Sequence, residues 1–280
     1  MPSQRRALIL VILCALGLVI AIGVALAITH LHDQQIRGLT FGFPDPIVPP
    51  DRAIGVNVAL EQYNADQLAD NIAQIKQSGF NTIRQTFPWA QIEPTQGAFD
   101  WTKWDQIVDT AKDLHIMAVL DTAPLWASAS NLYPPTSTLQ FANFARQFAQ
   151  RYGDRIDDYQ IWDEPNLGAR WNGEVNPVAY AELLRQARDA IKQVDPTSRI
   201  ILAGLAPTVE TSQANLADWQ YLRRLYEAGA RDLFDVVAGK PYGFDSAPDD
   251  HRLDANVLNF QHIVLLREEM VAHGDSGKAL

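Results

Sequence analysis

Residues 158–167 read DYQIWDEPNL, a mostly apolar run that ends in two carboxylates, a proline and an asparagine. The part over 158–162 has the length and composition of a strand that is buried on both faces. Two carboxylates directly after such a strand lie at its carboxyl end, where a parallel sheet collects the polar groups of a site. The stretch therefore predicts a parallel sheet with its chemistry along one edge.

The same order of a short strand and then an amphipathic helix recurs on both sides of this stretch. Strands are predicted at 54–58, 81–86, 116–120, 158–162, 199–203 and 234–238. Helices are predicted between and after them, at 64–78, 100–114, along the aromatic stripe 141–152, and at 179–194, 217–228 and 255–271. Six successive β/α units with apolar strands indicate a parallel sheet that is covered by helices.

Two α/β architectures have this order of elements. A doubly wound sheet normally carries a glycine-rich phosphate loop after its first strand, whereas the first strand here leads into a polar loop with Glu61. Polar residues follow many of the strands instead, as in a TIM barrel. They are Asn57, Arg84, Asp121, Asp163, Glu164, Lys240 and Tyr242. We therefore predict a (β/α)8 TIM barrel, of which this chain holds about six units, with 274–280 as a loop toward a seventh strand.

Composition limits the partners of this chain of 280 residues. Its formal net charge is −10, from 23 Lys and Arg against 33 Asp and Glu. Such an acidic surface lacks the positive charge that holds a phosphate backbone, so no nucleic acid is expected as a partner. The single cysteine, Cys14, and the six histidines show no zinc-like spacing, so no metal and no cofactor are expected.

The N-terminus predicts a membrane segment. Residues 7–28 form an uncharged apolar stretch after Arg5 and Arg6, which as a helix would span about 33 Å. Positive charge before the stretch predicts a single-pass anchor in the cell membrane, with the remainder of the chain on the extracytoplasmic side. The alternative is a signal peptide that is cleaved near Ala27 and leaves a secreted domain.

Three segments follow from these patterns. Residues 1–28 are predicted to be a cytoplasmic stub and a signal-anchor transmembrane helix. Residues 29–52 are predicted to be a linker, because glycines and prolines interrupt regular backbone pairing there. These are Gly38, Gly42, Pro44, Pro46, Pro49 and Pro50. Residues 53–280 are predicted to be an incomplete TIM-barrel domain, whose first and last strands would have unpaired edges.

The stretch 162–166, WDEPN, resembles the W-N-E-P-N element at the fourth strand of the clan of retaining TIM-barrel glycoside hydrolases, which includes the cellulase-type and xylosidase-type families. The resemblance covers about 54–280. The second-strand arginine of the clan is matched by Arg84 in NTIRQTFPW, and the loop between "W…IEP" and "G…DW" is similar to 89–101. The H-P-Y element at the sixth strand is similar to Pro241-Tyr242.

This resemblance implies roles for single residues. Glu164 corresponds to the general acid/base, whose pKa apolar surroundings would hold up, and Arg84 to the arginine that orients the nucleophile. The residues expected to bind substrate are Arg84, Trp89, Trp126, Asp163, Asn166, Trp171, Lys240 and Tyr242. The alternative role of Trp89 and Trp126 is core packing. The alternative for Asp163 is that it replaces the asparagine of the clan without a function of its own. Arg84 alternatively balances a buried carboxylate.

Three departures from the clan affect the expected activity. Asp163 stands where the clan has Asn, and an ionised carboxylate accepts hydrogen bonds but donates none. Lys240 stands where the clan has His. The clan's nucleophile, a Glu at the end of the seventh strand, has no counterpart in this sequence, although retaining hydrolysis needs two carboxyl groups about 5–5.5 Å apart.

The sequence therefore predicts an exported, membrane-anchored glycoside hydrolase that acts on O-glycosidic bonds of an extracytoplasmic oligo- or polysaccharide. Because only the acid/base is present, we expect little turnover from this polypeptide alone, unless a partner chain completes the barrel. One alternative is a non-catalytic protein that binds a glycan. The other is the truncated product of a longer glycosidase gene.

Overall fold

The computed structural model describes residues 2–36, 54–250 and 252–280. Its first unit contains one long helix, α1 (Pro2–Ile36). Within it, Gln4–Leu31 is apolar and long enough to cross a membrane. A signal sequence meets the same criteria, so the helix is a candidate for either role. The helix continues past residue 28, so the predicted start of the linker at residue 29 is not observed. Residues 37–53 lie outside the described residues.

The second unit is built on five parallel strands in the order β1-β2-β3-β4-β5. They are β1 (Gly55–Val58), β2 (Thr82–Pro88), β3 (His115–Asp121), β4 (Asp158–Ile161) and β5 (Arg199–Ile201). Each strand is hydrogen-bonded to the next one along the chain, in registers such as Leu120 with Ile161. The predicted parallel α/β sheet is confirmed, and its five strands begin and end within two residues of the predicted positions.

Helices connect these strands. They are α2 (Ala65–Gln77), α3 (Trp89–Ile92), α4 (Thr102–Thr110), α5 (Thr138–Tyr152), α6 (Pro177–Val194), α7 (Asp218–Glu227) and α8 (Ile263–Ala272). A capping box starts α2, where the side chain of Asn64 accepts from the Gln67 amide and the Gln67 side chain accepts from the Asn64 amide. At the start of α6, the Asn176 side chain accepts from the Ala179 amide, and Pro177 occupies the first helical position.

The core lies between the sheet and the helices. The aromatic stripe of α5 is buried, and Phe148 packs edge-on against Phe87 of β2 with ring centroids 4.8 Å apart. Phe144 stacks on Trp89, with centroids 5.7 Å apart. Aromatic rings bury large apolar areas and add specific ring contacts, so this stripe fixes α5 on the sheet. It serves as core.

The sixth predicted strand, 234–238, is reduced to single bridges at Val236. This residue pairs in parallel with Ile201 on one side and with Ala279 on the other. The side chain of Asp235 accepts a hydrogen bond from the Ile200 amide at 2.8 Å, where a ladder would use a backbone carbonyl. Because the side chain takes the place of the backbone, regular pairing does not extend. Ala279 thus pairs within the segment that was predicted to be a loop.

The last helix begins later than the predicted residue 255. A 3-10 turn, Phe260–His262, precedes α8, and the side chain of the buried Asn259 accepts from the His262 amide. The amide group of Asn259 also donates to the carbonyls of Asp250 and Arg252. Asparagine competes with helical hydrogen bonding in this way and favours the position just before a helix. Asn259 therefore holds the preceding residues in a loop.

Candidate active site

Four charged side chains meet at the carboxyl-terminal edge of the sheet. Arg84 extends from β2, Asp163 and Glu164 directly follow β4, and Lys240 lies beyond the bridge at Val236. The backbone at Asp163 forms a parallel bridge with Gly204, and the Glu164 amide donates to the Gly204 carbonyl at 3.1 Å. The extension of the β4–β5 ladder thus places both carboxylates at the edge where TIM barrels hold their sites.

The guanidinium group of Arg84 connects three strands. Its Nη1 donates to Asn57 Oδ1 at 3.2 Å, its Nε to Gln160 Oε1 at 3.1 Å, and its Nη2 to Asp163 Oδ1 at 3.3 Å. Strands β2 and β4 are not neighbours in the sheet, so the contact with Gln160 crosses its concave side. Side chains of alternate strands meet in this manner inside a barrel.

Asp163 is the centre of the hydrogen-bond network. Its Oδ1 accepts from Arg84 and, at 3.2 Å, from Gln160 Nε2, and its Oδ2 accepts from Lys240 Nζ at 3.0 Å. The same ammonium group donates to Glu164 Oε1 at 2.7 Å. Only 13% of the Lys240 side chain is exposed, against 22% for Asp163 and 28% for Glu164. The lysine therefore lies beneath the two carboxylates and binds both.

The absence of a side chain at Gly204 leaves room for the Lys240 side chain. A Cβ at this position would lie 2.8 Å from Lys240 Cε and 3.2 Å from Asp163 Oδ1. Real Cβ atoms essentially never show the first of these distances, so any larger residue would displace the lysine.

The backbone around the two carboxylates is strained. Trp162 and Glu164 have φ angles of 68° and 54°, in the left-handed region that non-glycine residues seldom adopt. Each such residue costs on the order of 1–3 kcal/mol, and such strain tends to cluster at functional sites. The hydrogen bond from the Trp162 amide to the Leu120 carbonyl, at 2.9 Å, helps to hold this conformation.

A second ion pair braces the same segment from the end of β3. Arg170 Nη2 donates to Asp121 Oδ2, and its Nε donates to the carbonyl oxygen of Asp163 at 3.4 Å. Asp121 is almost fully buried. Burial raises the pKa of Asp121 to about 6, and the nearby Arg170 charge only partly offsets this effect. Arg170 therefore ties the Asp163–Glu164 backbone to a buried carboxyl group.

This geometry can be compared with known proteins. The sequence profile of the cellulase family (glycosyl hydrolase family 5) matches residues 50–226 of the chain. The chain belongs to glycosyl hydrolase family 5. An endoglucanase from Clostridium saccharobutylicum is 32% identical over 101 residues, which are 36% of this chain and 20% of that protein.

Solved structures of other glycoside hydrolases have folds similar to that of this family 5 chain. A family 39 glycoside hydrolase from the gut symbiont Bacteroides cellulosilyticus WH2 has a TM-score of 0.58 at 22% identity, over 73% of this chain and 42% of its own. A family 5 glycoside hydrolase from Streptomyces cattleya has a TM-score of 0.51 at 14% identity, over 69% of this chain and 52% of its own. The TIM-barrel glycoside hydrolase fold and the clan resemblance are thus confirmed. The chain spans about half or less of the length of these relatives.

Two of the residues predicted to bind substrate, Asn166 and Trp171, are buried in the interior of the family 5 domain. None of the Asn166 surface is exposed, and its side chain forms hydrogen bonds with the backbone of Ala206 and Leu216. Trp171 is buried between Trp162 and Tyr180. Both side chains pack in the loop after β4, and the amide group of Asn166 is engaged with the backbone.

The two tryptophans that follow β2 and β3 differ in exposure. Trp89 is fully buried, and its Nε1 donates to Glu93 Oε2 at 2.6 Å. Trp126 is half-buried, donates to the Glu93 carbonyl at 2.9 Å, and packs edge-on against Trp89. Glu93 also accepts from the Gly97 amide at 2.7 Å, so the carboxylate of the "IEP" element is an internal brace. Trp89 therefore has the alternative role of core packing.

Tyr242 is the predicted aromatic residue that the structure leaves most exposed. It is 54% exposed and packs edge-on against Phe244, with centroids 6.1 Å apart. Its amide donates to the Lys240 carbonyl at 2.8 Å, which fixes it beside the lysine. Of the predicted set, the structure brings together Arg84, Asp163, Glu164 and Lys240 in one hydrogen-bond network and sets Tyr242 next to it.

Three residues of the site were not predicted. Gln160 is a buried polar residue between Tyr159 and Ile161 of strand β4, and a buried polar side chain in a strand is a usable signal. Gly204, directly after β5, offers a weaker one. Arg170 lies in a 3-10 turn, Gly168–Arg170, and nothing in its sequence neighbourhood indicates that it reaches Asp121.

Proposed function

We propose that Glu164 is the general acid/base of a glycoside hydrolase site that acts on O-glycosidic bonds. The observation that carries this proposal is the position of Glu164 at the carboxyl end of β4, within one network with Arg84, Asp163 and Lys240. Family membership supports a glycan as the ligand. The partial exposure of Glu164 supports its access to that ligand.

The chemistry follows from a carboxyl group at this place. In its acid form Glu164 would protonate the glycosidic oxygen as the bond to the sugar breaks, and in its base form it would activate the attacking water. Arg84 holds Asp163 by an ion pair and makes no hydrogen bond to Glu164 among the described residues, so its role would be to fix the neighbouring residue. We assign no nucleophile.

A second candidate function, glycan binding without cleavage, is favoured by one contact. Lys240 Nζ donates to Glu164 Oε1 at 2.7 Å, so one oxygen of the proposed acid already accepts a hydrogen bond from an ammonium group. Such a charge-assisted hydrogen bond pairs with a carboxylate, whereas a general acid needs a proton of its own. Tyr242 would then serve as an exposed surface for a sugar ring.

The location of the reaction is also a proposal. The apolar helix over 4–31 would anchor the chain in the cell membrane, with the family 5 domain and its oligo- or polysaccharide ligand on the extracytoplasmic side. A reporter enzyme that is active only outside the cytoplasm, fused after Leu280, should be active in membrane fractions. Activity only in a soluble secreted fraction would instead indicate cleavage near Ala27.

The activity is tested with the full chain in detergent micelles. Hydrolysis of aryl glycosides and binding of cello-, xylo- and manno-oligosaccharides are measured for the wild type, for Glu164→Gln, and for the exposed control Glu174→Gln. Loss of hydrolysis in Glu164→Gln alone supports the acid/base assignment. Equal binding without hydrolysis in all three chains supports the second candidate, and neither binding nor hydrolysis in the wild type contradicts both.

A further inference from the structure

Two neighbouring carboxylates share one ammonium group in this site. Lys240 Nζ lies 3.0 Å from Asp163 Oδ2 and 2.7 Å from Glu164 Oε1. An ammonium group has three N–H donors, and these two contacts use two of them. Lys240 is therefore a bridge between the carboxylates, and removing it would leave two like charges side by side.

The two carboxylates differ in what the network leaves free. Both oxygens of Asp163 are engaged, Oδ1 by Arg84 and Gln160 and Oδ2 by Lys240. Oε1 of Glu164 accepts from Lys240, while its Oε2 accepts no hydrogen bond from the residues that the structure describes. Asp163 thus has an internal partner for each oxygen, and Glu164 keeps one oxygen for a ligand.

The position of the lysine is itself fixed. Its side chain passes Gly204, where a Cβ would approach Lys240 Cε to 2.8 Å, and little of it is exposed. At the far end, Asp163 holds the ammonium group while being held by Arg84 in turn. The lysine therefore meets Glu164 from a direction that Asp163 and Gly204 determine.

We propose that Asp163 and Lys240 are a matched pair of positioning residues that fix Glu164 by its Oε1 oxygen and turn its Oε2 oxygen toward the glycan. This inference rests on the proposed function for the identity of the ligand, but the pairing itself does not depend on a ligand. Asp163 acts only through the lysine and does not contact the glycan. The donor that an aspartate cannot supply is thus present two strands away, at residue 240.

The pair predicts a specific pattern of substitution effects. Lys240→Met removes the bridge and leaves Glu164 beside the like charge of Asp163, so the Glu164 side chain loses its fixed position. Asp163→Asn removes the charge that holds the ammonium group. If the two residues act as one unit, the double variant is no worse than either single variant, because the second substitution removes nothing further.

The pairing is tested without any glycan. In the full chain with 13C-labelled glutamate, the carboxyl resonance of Glu164 is identified by its absence in Glu164→Gln. Lys240→Met should shift this resonance, and the exposed control Lys103→Met, whose Nζ donates to the Glu61 carbonyl, should leave it in place. A Glu164 resonance that is unchanged in Lys240→Met would overturn the proposal. If thermal unfolding shows that Lys240→Met does not fold, Lys240→Gln is used in its place.

The effect on the ligand is measured as affinity for the oligosaccharide that binds the wild type most tightly. Lys240→Met and Asp163→Asn should each weaken binding about tenfold or more, since a hydrogen bond to a charged group is at stake, and the double variant should match them. Losses that multiply in the double variant would overturn the matched pair. If Lys240→Met shifts the Glu164 resonance but the wild type binds no glycan, the proposed function is refuted and the pairing is supported.

Discussion

The two ends of strand β4 hold ion clusters of opposite character. At the amino end, Asp158 accepts from Arg199 Nε at 2.6 Å and lies 2.6 Å from His115 Nε2, and only 3% of its side chain is exposed. An arginine and a histidine side chain contact one carboxylate there. At the carboxyl end, Asp163 and Glu164 share Lys240, on backbone with positive φ at Glu164.

This difference separates stability from function along one strand. The amino-end cluster is saturated and its backbone is regular, which fits a role in holding β3, β4 and β5 together. The carboxyl-end cluster keeps a free carboxylate oxygen and a strained backbone, which fits a site that a ligand completes. In a TIM barrel the two ends have these separate roles.

The variant with the largest expected loss of stability is Gly168→Ala. It should disrupt the carboxyl-end cluster and leave the amino-end cluster intact. In Gly168→Ala the new Cβ would lie 2.6 Å from the Gly173 carbonyl oxygen and 2.7 Å from that of Ala214. Both are backbone atoms that cannot move aside, so we expect a loss of about 3–4 kcal/mol in the free energy of unfolding. Gly277→Ala, with open space around its Cβ, is the control for guanidinium unfolding followed by tryptophan fluorescence.

Gly168→Ala should also weaken ligand binding. Gly168 begins the turn that carries Arg170 to Asp121 and to the Asp163 carbonyl. We therefore expect its ligand affinity to fall even at temperatures where it is folded. A variant that unfolds like the wild type would show that this close packing does not hold the site.

Asp121 gives a pH dependence with a defined sign. Burial raises its pKa to about 6 from 3.8, with Arg170 and Asp163 as the charged groups that face it. The folded state thus holds the proton when the unfolded state has released it. Stability from this group is therefore present below pH 4 and is lost as pH rises from about 4 through 6, by about 3 kcal/mol.

The measurement is the free energy of unfolding between pH 4 and 7, for the wild type and for Asp121→Asn. The variant cannot titrate at this position, so its decline over this range should be smaller by that amount, whatever its absolute stability. Equal slopes in the two chains would contradict a buried carboxyl group that is protonated near pH 6.

At the amino-end carboxylate, Asp158, stability depends on pH with the opposite sign. Burial acts to raise the pKa of Asp158, but hydrogen bonds from His115 and Arg199 outweigh burial and lower it. Its stabilisation is therefore present above pH 3.8 and is lost as pH falls through its lower folded value. Asp158→Asn should cost about 2 kcal/mol at pH 7, in line with a hydrogen-bonded charge.

The control for this loss is Asp113→Asn, which removes an exposed ion pair with Lys76 and should leave the free energy of unfolding nearly unchanged. Oligosaccharide affinity of folded Asp158→Asn should equal that of the wild type. A loss of affinity without a loss of stability would reverse the roles given to the two ends.

The contrast between the two ends also explains what the sequence could reveal. The strands and α5 follow from local composition, because continuous apolar runs and an aromatic stripe at helical spacing leave few other structures. The placement of Glu164 after β4 follows from the same run. The bridge from Lys240 to Asp163 joins residues 77 positions apart, and its existence depends on how far the sheet curves.

Single polar side chains limit what the sequence could reveal. The clan resemblance implies that Asn166 binds substrate, which stays a prediction, and its side chain is hydrogen-bonded to the backbone of Ala206 and Leu216. The helix predicted from residue 255 was shortened by one asparagine, Asn259, that prefers the position before a helix. Apolar periodicity does not register a single polar side chain that bonds to the backbone.

Of the variants at the two ends of β4, Asp163→Asn has the smallest expected change in the free energy of unfolding. Its carboxylate is 22% exposed, and Gln160 and Arg84 can still donate to the remaining amide oxygen. We expect a change below about 1 kcal/mol, since partly exposed ion pairs contribute little. Guanidinium unfolding of Asp163→Asn beside Asp158→Asn compares the same chemical change at the two ends of one strand. Equal losses would mean that the carboxyl-end cluster holds the fold as firmly as the amino-end cluster, and that function and stability are not separated along β4.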